Sequence, residues 1–265
     1  MTVHIHPTAI VSDKAILGQN VSIGPYSIVD ENVTLGDNVI LVSHVSLTGQ
    51  TTIGARCKLY PFVSMGHPPQ DFKHKGGVVS ITIGEDCTFR ENVNIHPGTD
   101  TGKPETRIGN NCYFMVGTHL AHEGQMGNHV VVSNGAQIGG NVSIGDYVVL
   151  GGLCAVHQHT RIGNYAFIGG MATVTRDVIP YGFVLGNAAH LAGLNVVGLK
   201  RQGFTKEQIR ELRAAYRLMF AAEGTFSERL DDAKRLYKSH DLIQEIIAFI
   251  HDEKDRSICL PAIRS

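Results

Sequence analysis

The sequence predicts a mainly β fold: a parallel β-helix built from hexapeptide repeats, followed by a C-terminal α-helical domain. Three observations support this prediction. An apolar residue recurs at every sixth position from residue 5 to residue 174, apart from two interruptions. Small or β-branched residues occupy the slot two positions earlier. Helical periodicity replaces this pattern from about residue 205. A six-residue period is typical of a chain that winds as a parallel β-helix.

The repeat is regular enough to count coils. Every residue sampled at this interval outside the interruptions is aliphatic, Phe or Met. Three hexads form one coil, so the chain predicts about nine coils, stacked at the usual strand spacing of about 4.8 Å. The residue after the aliphatic one is often Gly, which indicates tight turns or positive φ angles.

The interruptions and the change of period divide the chain. We predict a β-helical domain over residues 1–190, with extended loops at about 66–80 and 96–107, and an α-helical domain over 191–265. Thr205 and Gln208 have the spacing of a capping box at a helix start. Further helices are expected over Ser227–Lys238 and Asp241–Asp252. Such helices would cover one open end of the stack.

Composition argues against several classes of protein. The formal net charge is −1 and the chain has no Trp, which disfavours nucleic-acid binding. The uncharged stretch from Val178 to Leu199 contains Pro180 and Asn187, which disfavours a membrane-spanning helix. The N-terminus lacks the pattern of a signal peptide, and no CxxC pair occurs, so we expect a cytoplasmic protein. Four of the five cysteines occupy the small-residue slot and are interpreted as packing residues: Cys57, Cys87, Cys112 and Cys154.

Fourteen histidines are many for a chain of 265 residues. Counting three hexads per coil places a column of histidines on one face of the predicted helix: His96, His119, His122 and His157. Asn141 and Gln158 belong to the same column. The other histidines considered are interpreted as surface or packing residues: His4, His6, His129, His159, His240 and His251.

This column suits acyl transfer. A neutral imidazole is a good general base near pH 7, and Glu123 could orient His122 if a turn brings the two side chains together. Gly140, one coil further, could offer a backbone N–H to an oxyanion. A tri-histidine zinc site built on the HxxH at residues 119–122 is the rival interpretation.

Several ordered motifs resemble a known family. They are QDFKHKGG (70–77), NIHPGT (94–99), GTHLAHE (117–123), AVHQ (155–158), FIGG (167–170) and NVVGLKRQGF (195–204). Together with the repeat they resemble the UDP-N-acetylglucosamine O-acyltransferases of lipid A biosynthesis, within the hexapeptide-repeat transferases. The resemblance runs from about residue 3 to beyond residue 220.

The resemblance implies a left-handed β-helix and a homotrimer with active sites between adjacent subunits. It implies transfer of an R-3-hydroxyacyl chain from acyl carrier protein to the 3-hydroxyl of UDP-N-acetylglucosamine. The carrier thioester is then a co-substrate, and no cofactor or metal is expected. An acidic carrier protein would dock on basic residues of the C-terminal region: Lys200, Arg201, Arg210, Arg213 and Arg217.

The resemblance also assigns roles to residues. It makes His122 the general base, Glu123 its assistant and Gly140 the oxyanion donor. Gly170 matches the end of the acyl pocket. The other implied substrate contacts are Asp71 and Lys73 for the sugar, His96, His119, His157 and Gln158 along the cleft, and Asn195 and Arg201 for the nucleotide and phosphopantetheine.

Three positions depart from the family pattern. Asn141 replaces a His, Val197 an acidic residue and Gln202 an Arg. These changes leave open whether the sugar is UDP-N-acetylglucosamine or its 3-amino analogue. Acyl chain length is also open. Two alternative functions remain at this point: a zinc-dependent hydratase resembling the γ-class carbonic anhydrases, and a non-catalytic hexapeptide scaffold.

Overall fold

The computed structural model describes residues 2–252 and 255–262 of the chain, and its repeats wind as a parallel β-helix with three sheets. The first sheet contains His4–Ile5, Ser22–Ile23, Ile40–Leu41, Lys58–Leu59, Thr88–Phe89, Tyr113–Phe114, Val131–Val132, Val149–Leu150, Phe167–Ile168, Gly182–Leu185 and His190–Leu194. The second contains Ile10–Val11, Ile28–Val29, Ser46–Leu47, Ser64–Met65, Asn94–Ile95, His119–Leu120, Gln137–Ile138, Ala155–Val156 and Thr173–Val174. The third contains Ile16–Leu17, Val33–Leu35, Gln50–Ile53, Ser80–Ile83, Glu105–Ile108, Gln125–Met126, Ser143–Ile144 and Arg161–Ile162.

The strand register explains the two interruptions of the repeat. Strands that pair in successive coils are three hexads apart along most of the chain, as His4 and Ser22 are. Lys58 instead pairs with Thr88, so the first loop adds two whole hexads to its coil. Asn94 pairs with His119, so the second loop adds one hexad and one further residue. Whole hexads preserve the phase of the repeat, and therefore only the second loop shifts it.

The aliphatic residues of the repeat form the core inside the coils. Leu47, Leu59 and Phe89 have no exposed surface, and each such side chain contributes about 1.5–3 kcal/mol by its burial. The four cysteines of the small-residue slot are buried free thiols, which confirms that they are packing residues. The Cys57 thiol donates to the carbonyl of Gly84 on the next coil at 3.2 Å.

Apart from Gly66, whose φ is 88°, the glycines of the repeat are needed for space rather than for positive φ. A Cβ on Gly24 would lie 1.8 Å from the carbonyl oxygen of Val42 in the next coil. The left-handed conformation falls two residues later, on residues such as Tyr26, with a φ of 57°. Of the two reasons expected for these glycines, only close approach of the backbones applies at Gly24.

Within the described residues, four helices follow the coils. They are α1 (Val196–Arg201), α2 (Lys206–Met219), α3 (Phe226–Leu236) and α4 (Asp241–His251). The predicted capping box of Thr205 and Gln208 is present at α2, and Thr225 and Glu228 form a second one at α3. The strand His190–Leu194 lies across the expected domain boundary and pairs antiparallel with Gly182–Leu185.

Helix α4 packs back against the last coils. Asp177 is 1% exposed, and its carboxylate accepts from Arg161 Nε at 2.6 Å. The Arg161 guanidinium in turn lies over the Phe249 ring of α4, 4.4 Å from its centroid. Glu245 accepts hydrogen bonds from Asn164 and Tyr181. These contacts join the helices to the end of the β-helix. In the described part of the chain, every helix is too short or too polar to cross a lipid bilayer.

Candidate active site

Both loops and one member of the histidine column, His122, meet at one corner of the β-helix, where the second sheet turns into the third. The loops 66–79 and 96–104 are inserted at this corner in consecutive coils. The next three coils place Glu123, Asn141 and His159 at the same corner, with φ angles of 64°, 54° and 63°. The overhanging loops convert the corner into a cleft of about 560 Å³.

The cleft contains seven of the residues expected from the sequence and five others. The expected ones are Asp71, Lys73, His122, Glu123, Gly140, Asn141 and Gln158. The additional ones are Gln70, Phe72, Thr101, Gly102 and His159. Four of these five lie in the two loops that the interruptions of the repeat predict. The interruptions therefore indicated where further cleft residues would be found.

His122 and Glu123 face each other although they are adjacent in sequence. Side chains of adjacent strand residues point to opposite faces, but the positive φ of Glu123 turns the chain here. The Glu123 carboxylate is 6% exposed, and its Oε1 lies 3.4 Å from His122 Nδ1. When Nδ1 carries the proton, Nε2 has a free lone pair. The arrangement therefore presents Nε2 as a proton acceptor.

Gly140 lies directly against the His122 ring. A Cβ at this position would lie 2.4 Å from His122 Cε1 and 2.6 Å from Nε2, so any side chain would displace the imidazole. The backbone N–H of Gly140 has no acceptor among the described residues. This N–H is consequently available to a ligand beside Nε2, as an oxyanion donor must be.

The second loop holds the first loop over the cleft. The Asp100 carboxylate accepts from the backbone N–H of Gly77 at 2.9 Å and from that of Lys75 at 3.1 Å. The N–H of Gly77 is the main cause of a lowered pKa for Asp100. Asp71 Oδ1 accepts from the backbone N–H of Lys73 at 2.8 Å, which forms a tight turn at the loop tip.

His96 and His119 are not among the residues that line this cleft, and their expected contact with substrate remains a prediction. Their rings meet edge to face with centroids 5.1 Å apart, and His119 Nδ1 lies 2.9 Å from Asn94 Oδ1. His96 is 4% exposed, and its Nδ1 has no partner within the described part of the chain. Burial, with added repulsion from His119 and His122, lowers the pKa of His96 to about 4. His96 is therefore neutral near pH 7.

The remaining expected residues lie apart from this cleft. His157 is exposed, with Nδ1 2.6 Å from Arg256 Nη2. Gly170 is exposed, and only open space and the carbonyl of Gly152 surround the position of a Cβ. Asn195 caps α1 through Gly198, and Arg201 is exposed in the last turn of that helix. Their expected roles remain predictions.

His159 differs from its interpretation as a surface or packing residue. It lines the cleft, and its Nδ1 lies 3.0 Å from Asn141 Nδ2. Lys103 Nζ donates to Asn141 Oδ1 at 3.0 Å from the opposite side. Asn141 thus joins the second loop to the following corner.

The same corner holds the residues best placed for a metal ion. Asp71, His122 and Glu123 offer ligand atoms that all lie within 4.8 Å of one another. Among the described residues this convergent set has one histidine and two carboxylates, whereas the zinc-hydratase interpretation requires three histidines. His119 contacts Asn94 instead of completing such a set.

Comparisons with known proteins agree with this fold. The profile of the family described as "Bacterial transferase hexapeptide (six repeats)" matches residues 14–49, and that of "Udp N-acetylglucosamine O-acyltransferase; Domain 2" matches residues 177–259. A crystal structure of UDP-N-acetylglucosamine acyltransferase superposes with a TM-score of 0.93 at 34% identity, covering 97% of this chain and 99% of the other. The coil is therefore the left-handed parallel β-helix, and the class is that of the hexapeptide-repeat acyltransferases.

Three further relatives place the chain within this class. The acyl-[acyl-carrier-protein]–UDP-N-acetylglucosamine O-acyltransferase of Caulobacter vibrioides is 53% identical over 257 residues, covering 97% of this chain and 98% of its own. That of Azorhizobium caulinodans is 50% identical, covering 97% and 95%. The UDP-N-acetylglucosamine acyltransferase structure from Campylobacter jejuni has a TM-score of 0.91 at 31% identity, covering 97% and 100%. The chain belongs to the family of acyl-[acyl-carrier-protein]–UDP-N-acetylglucosamine O-acyltransferases.

Proposed function

We propose that this chain transfers an R-3-hydroxyacyl group from acyl carrier protein to the 3-hydroxyl of UDP-N-acetylglucosamine, the first step of lipid A biosynthesis. The observation that carries the proposal is the His122–Glu123 pair, which lies under two polar loops and beside the unengaged N–H of Gly140. Membership of the family supports the substrate class.

The reaction needs one proton acceptor and one oxyanion donor. His122 Nε2 takes the proton of the sugar hydroxyl while the oxygen attacks the thioester carbonyl carbon. The N–H of Gly140 donates to the oxygen of the tetrahedral intermediate. As the C–S bond breaks, the imidazolium returns its proton to the carrier thiolate. The products are the ester and the free carrier thiol. This transfer of one proton and one acyl group requires no metal or other cofactor.

The loops fit recognition of the sugar nucleotide. Asp71 and Lys73 lie in the same cleft as His122 and supply one acceptor and one cation for the sugar and its diphosphate. Lys103, fastened to Asn141, adds a second cation near the corner. Asn141 stands where the family usually has a histidine. The similarity to UDP-N-acetylglucosamine O-acyltransferases supports the 3-hydroxy sugar, and the 3-amino analogue is the competing substrate.

A basic groove in the C-terminal helices suits an acidic carrier protein. Residues of α1 and α2 surround it, with a volume of about 300 Å³. Its basic lining residues are Lys200, Lys206, Arg210, Arg213 and Arg217. An electropositive groove accelerates association with an acidic partner. Arg201 is exposed on the same short helix.

We further propose that the protein acts as a cytoplasmic homotrimer. Its five cysteines are all free thiols, which suits a reducing compartment. The cleft is open on one side, and a neighbouring subunit is expected to complete it, as the family resemblance implies.

A single assay tests the proposed reaction. Protein dialysed against a chelator is incubated with UDP-N-acetylglucosamine and a series of 3-hydroxyacyl carrier proteins, and the products are identified by mass spectrometry. An acylated UDP-sugar is the expected result, and its mass reports the acyl chain length. Product from the 3-amino sugar alone would reassign the acceptor. Failure with both sugars would contradict the proposed function.

A further inference from the structure

We infer that the tip of the second loop, through Thr99 and Gly102, positions the Glu123 carboxylate against His122. The inference rests on the proposed acyl transfer and adds two positioning residues to it. Neither residue is included among the candidate site residues expected from the sequence.

Thr99 binds the same carboxylate oxygen that faces the base. Its side chain has no exposed surface, and its hydroxyl donates a hydrogen bond to Glu123 Oε1. That oxygen also lies 3.4 Å from His122 Nδ1. One oxygen therefore sits between a fixed hydroxyl donor and the ring nitrogen, so the rotation of the carboxylate is set by Thr99.

Gly102 confines the carboxylate from the other side. A Cβ on Gly102 would lie 2.5 Å from both Oε1 and Oε2 of Glu123. The φ of Gly102 lies outside the left-handed region, so the backbone conformation does not require glycine here. Glycine is required here by the lack of space, because the loop backbone packs directly against the carboxylate.

The loop tip is itself well fixed. The backbone N–H of Thr99 donates to the carbonyl of Lys103 at 2.9 Å, which closes the tip into a turn. A Cβ on Gly98 would lie 2.2 Å from that same carbonyl oxygen, so the closure also depends on a glycine. Lys103 Nζ then fastens the turn to Asn141 on the following corner. The turn that contains Thr99 and Gly102 is therefore held at both of its ends.

Such positioning matters most when His122 becomes charged. The imidazolium that forms during attack is stabilised by a carboxylate in the correct orientation, as is general for a base supported by a third group. A carboxylate freed from Thr99 can turn away from Nδ1. The charged ring then loses stabilisation in the transition state, while the binding of substrate is unaffected. The expected signature is a loss in kcat rather than a rise in KM.

The test compares three variants of the full chain with a matched control. Thr99→Val removes the hydroxyl at nearly constant volume, and Thr99→Ser keeps the hydroxyl. Gly102→Ala keeps Thr99 but places a methyl group against the Glu123 carboxylate, which must then move. Thr106→Val is the control, because Thr106 is equally buried and its hydroxyl has no partner among the described residues. Acyl transfer is assayed as a function of pH, and folding is checked by circular dichroism.

Thr99→Val and Gly102→Ala are each expected to lower kcat about tenfold, the size of a lost hydrogen bond to a charged group, with KM changed less than twofold. The acid limb of kcat/KM should move to lower pH, because the imidazolium is less stabilised. Thr99→Ser should recover most of the activity, and Thr106→Val should match the wild type.

An unchanged kcat and acid limb in folded Thr99→Val would overturn the inference, as would a shift of that limb to higher pH. If Thr99→Val does not fold, Gly102→Ala decides by the same criteria. Absence of product from the wild-type protein contradicts the proposed function instead, so the two failures are distinguishable.

Discussion

His74 Nδ1 lies 3.0 Å from Asp100 Oδ1, and this contact joins the two inserted loops at the corner that carries His122. The same carboxylate accepts from the backbone of Lys75 and Gly77. A single side chain of the second loop thus organises the first loop. Asp71 and Lys73, which we propose to contact the sugar, therefore depend on a contact that lies outside the cleft itself.

Replacing Asp100 should weaken substrate binding more than the chemical step. In Asp100→Ala the first loop loses its three polar contacts, so Asp71 and Lys73 are no longer preorganised. We expect KM for the sugar nucleotide to rise about tenfold and kcat to fall less. Steady-state kinetics with the sugar varied measures both. A fall in kcat with unchanged KM would show that the loop contact acts on the chemistry instead.

Removal of the general base should abolish most of the activity. His122→Ala is expected to lower kcat by about 10² to 10⁴-fold, the usual contribution of general base catalysis. His129→Ala is a suitable control, because His129 stacks on Tyr147 with ring centroids 4.5 Å apart and lies outside the cleft. The initial rates of the two variants are measured by mass spectrometry. Near-normal turnover in His122→Ala would exclude this residue as the base.

Chelation should leave the activity unchanged. In the proposed reaction the proton passes from the sugar hydroxyl to His122 and then to the carrier thiolate, without a metal ion. Asp71, His122 and Glu123 nevertheless lie close enough together to bind a divalent cation. Rates before and after dialysis against EDTA should agree. Excess Zn²⁺ should inhibit, because it would bind the His122 side chain that we propose as the base. Loss of activity on chelation, restored by metal, would favour a metal-dependent reaction.

Acid should destabilise the protein partly through His96. Its pKa is lowered to about 4 in the folded state, against about 6.5 in the unfolded chain. Between these values the unfolded chain binds the proton and the folded protein does not. Stability therefore falls as the pH drops through this window, by at most about 3 kcal/mol.

Urea unfolding at pH 7 and pH 4.5, at one protein concentration, checks the effect of His96. The His96→Gln variant should lose less stability between these two pH values than the wild type does. An equal loss in both proteins would mean that other groups cause the acid sensitivity. His119, whose pKa is also lowered chiefly by burial, is the next group to replace.

Charge reversal in the basic groove should weaken use of the carrier protein. Arg213→Glu is expected to raise KM for the acyl carrier protein about tenfold at low salt, with a smaller effect at high salt because surface charges are screened. Arg235→Glu serves as the control, since Arg235 is exposed on α3, pairs with Asp232 and lies outside the groove. Equal effects of the two variants would show that the groove has no special role.

Much of this architecture is readable from the sequence because each coil repeats the same physical requirement. Residues such as Leu47 and Phe89 must face inward, and a period of six places them there in every coil. The start of α2 was also predictable, because Thr205 and Gln208 satisfy local backbone groups. The short helix α1 was not predicted, since six residues are too few to show helical periodicity.

The candidate site was only partly predictable. His122 and Glu123 are adjacent in sequence, and the pattern alone could not decide whether their side chains meet. The positive φ of Glu123 decides it, and that angle is a property of the corner. The contacts of His159 with Asn141 and of Thr99 with Glu123 could not be predicted, because each crosses from one coil to another.

The sequence by itself determined the winding of the chain, the places where it is interrupted and the histidine column, because these follow from short-range periodicity. Only the tertiary structure decided that both loops rise from the same corner, that Asp100 joins them, and that Thr99 and Gly102 enclose the carboxylate of Glu123. Insertions leave the repeat intact but do not encode their own conformation. Their path depends on packing against coils that are distant along the chain.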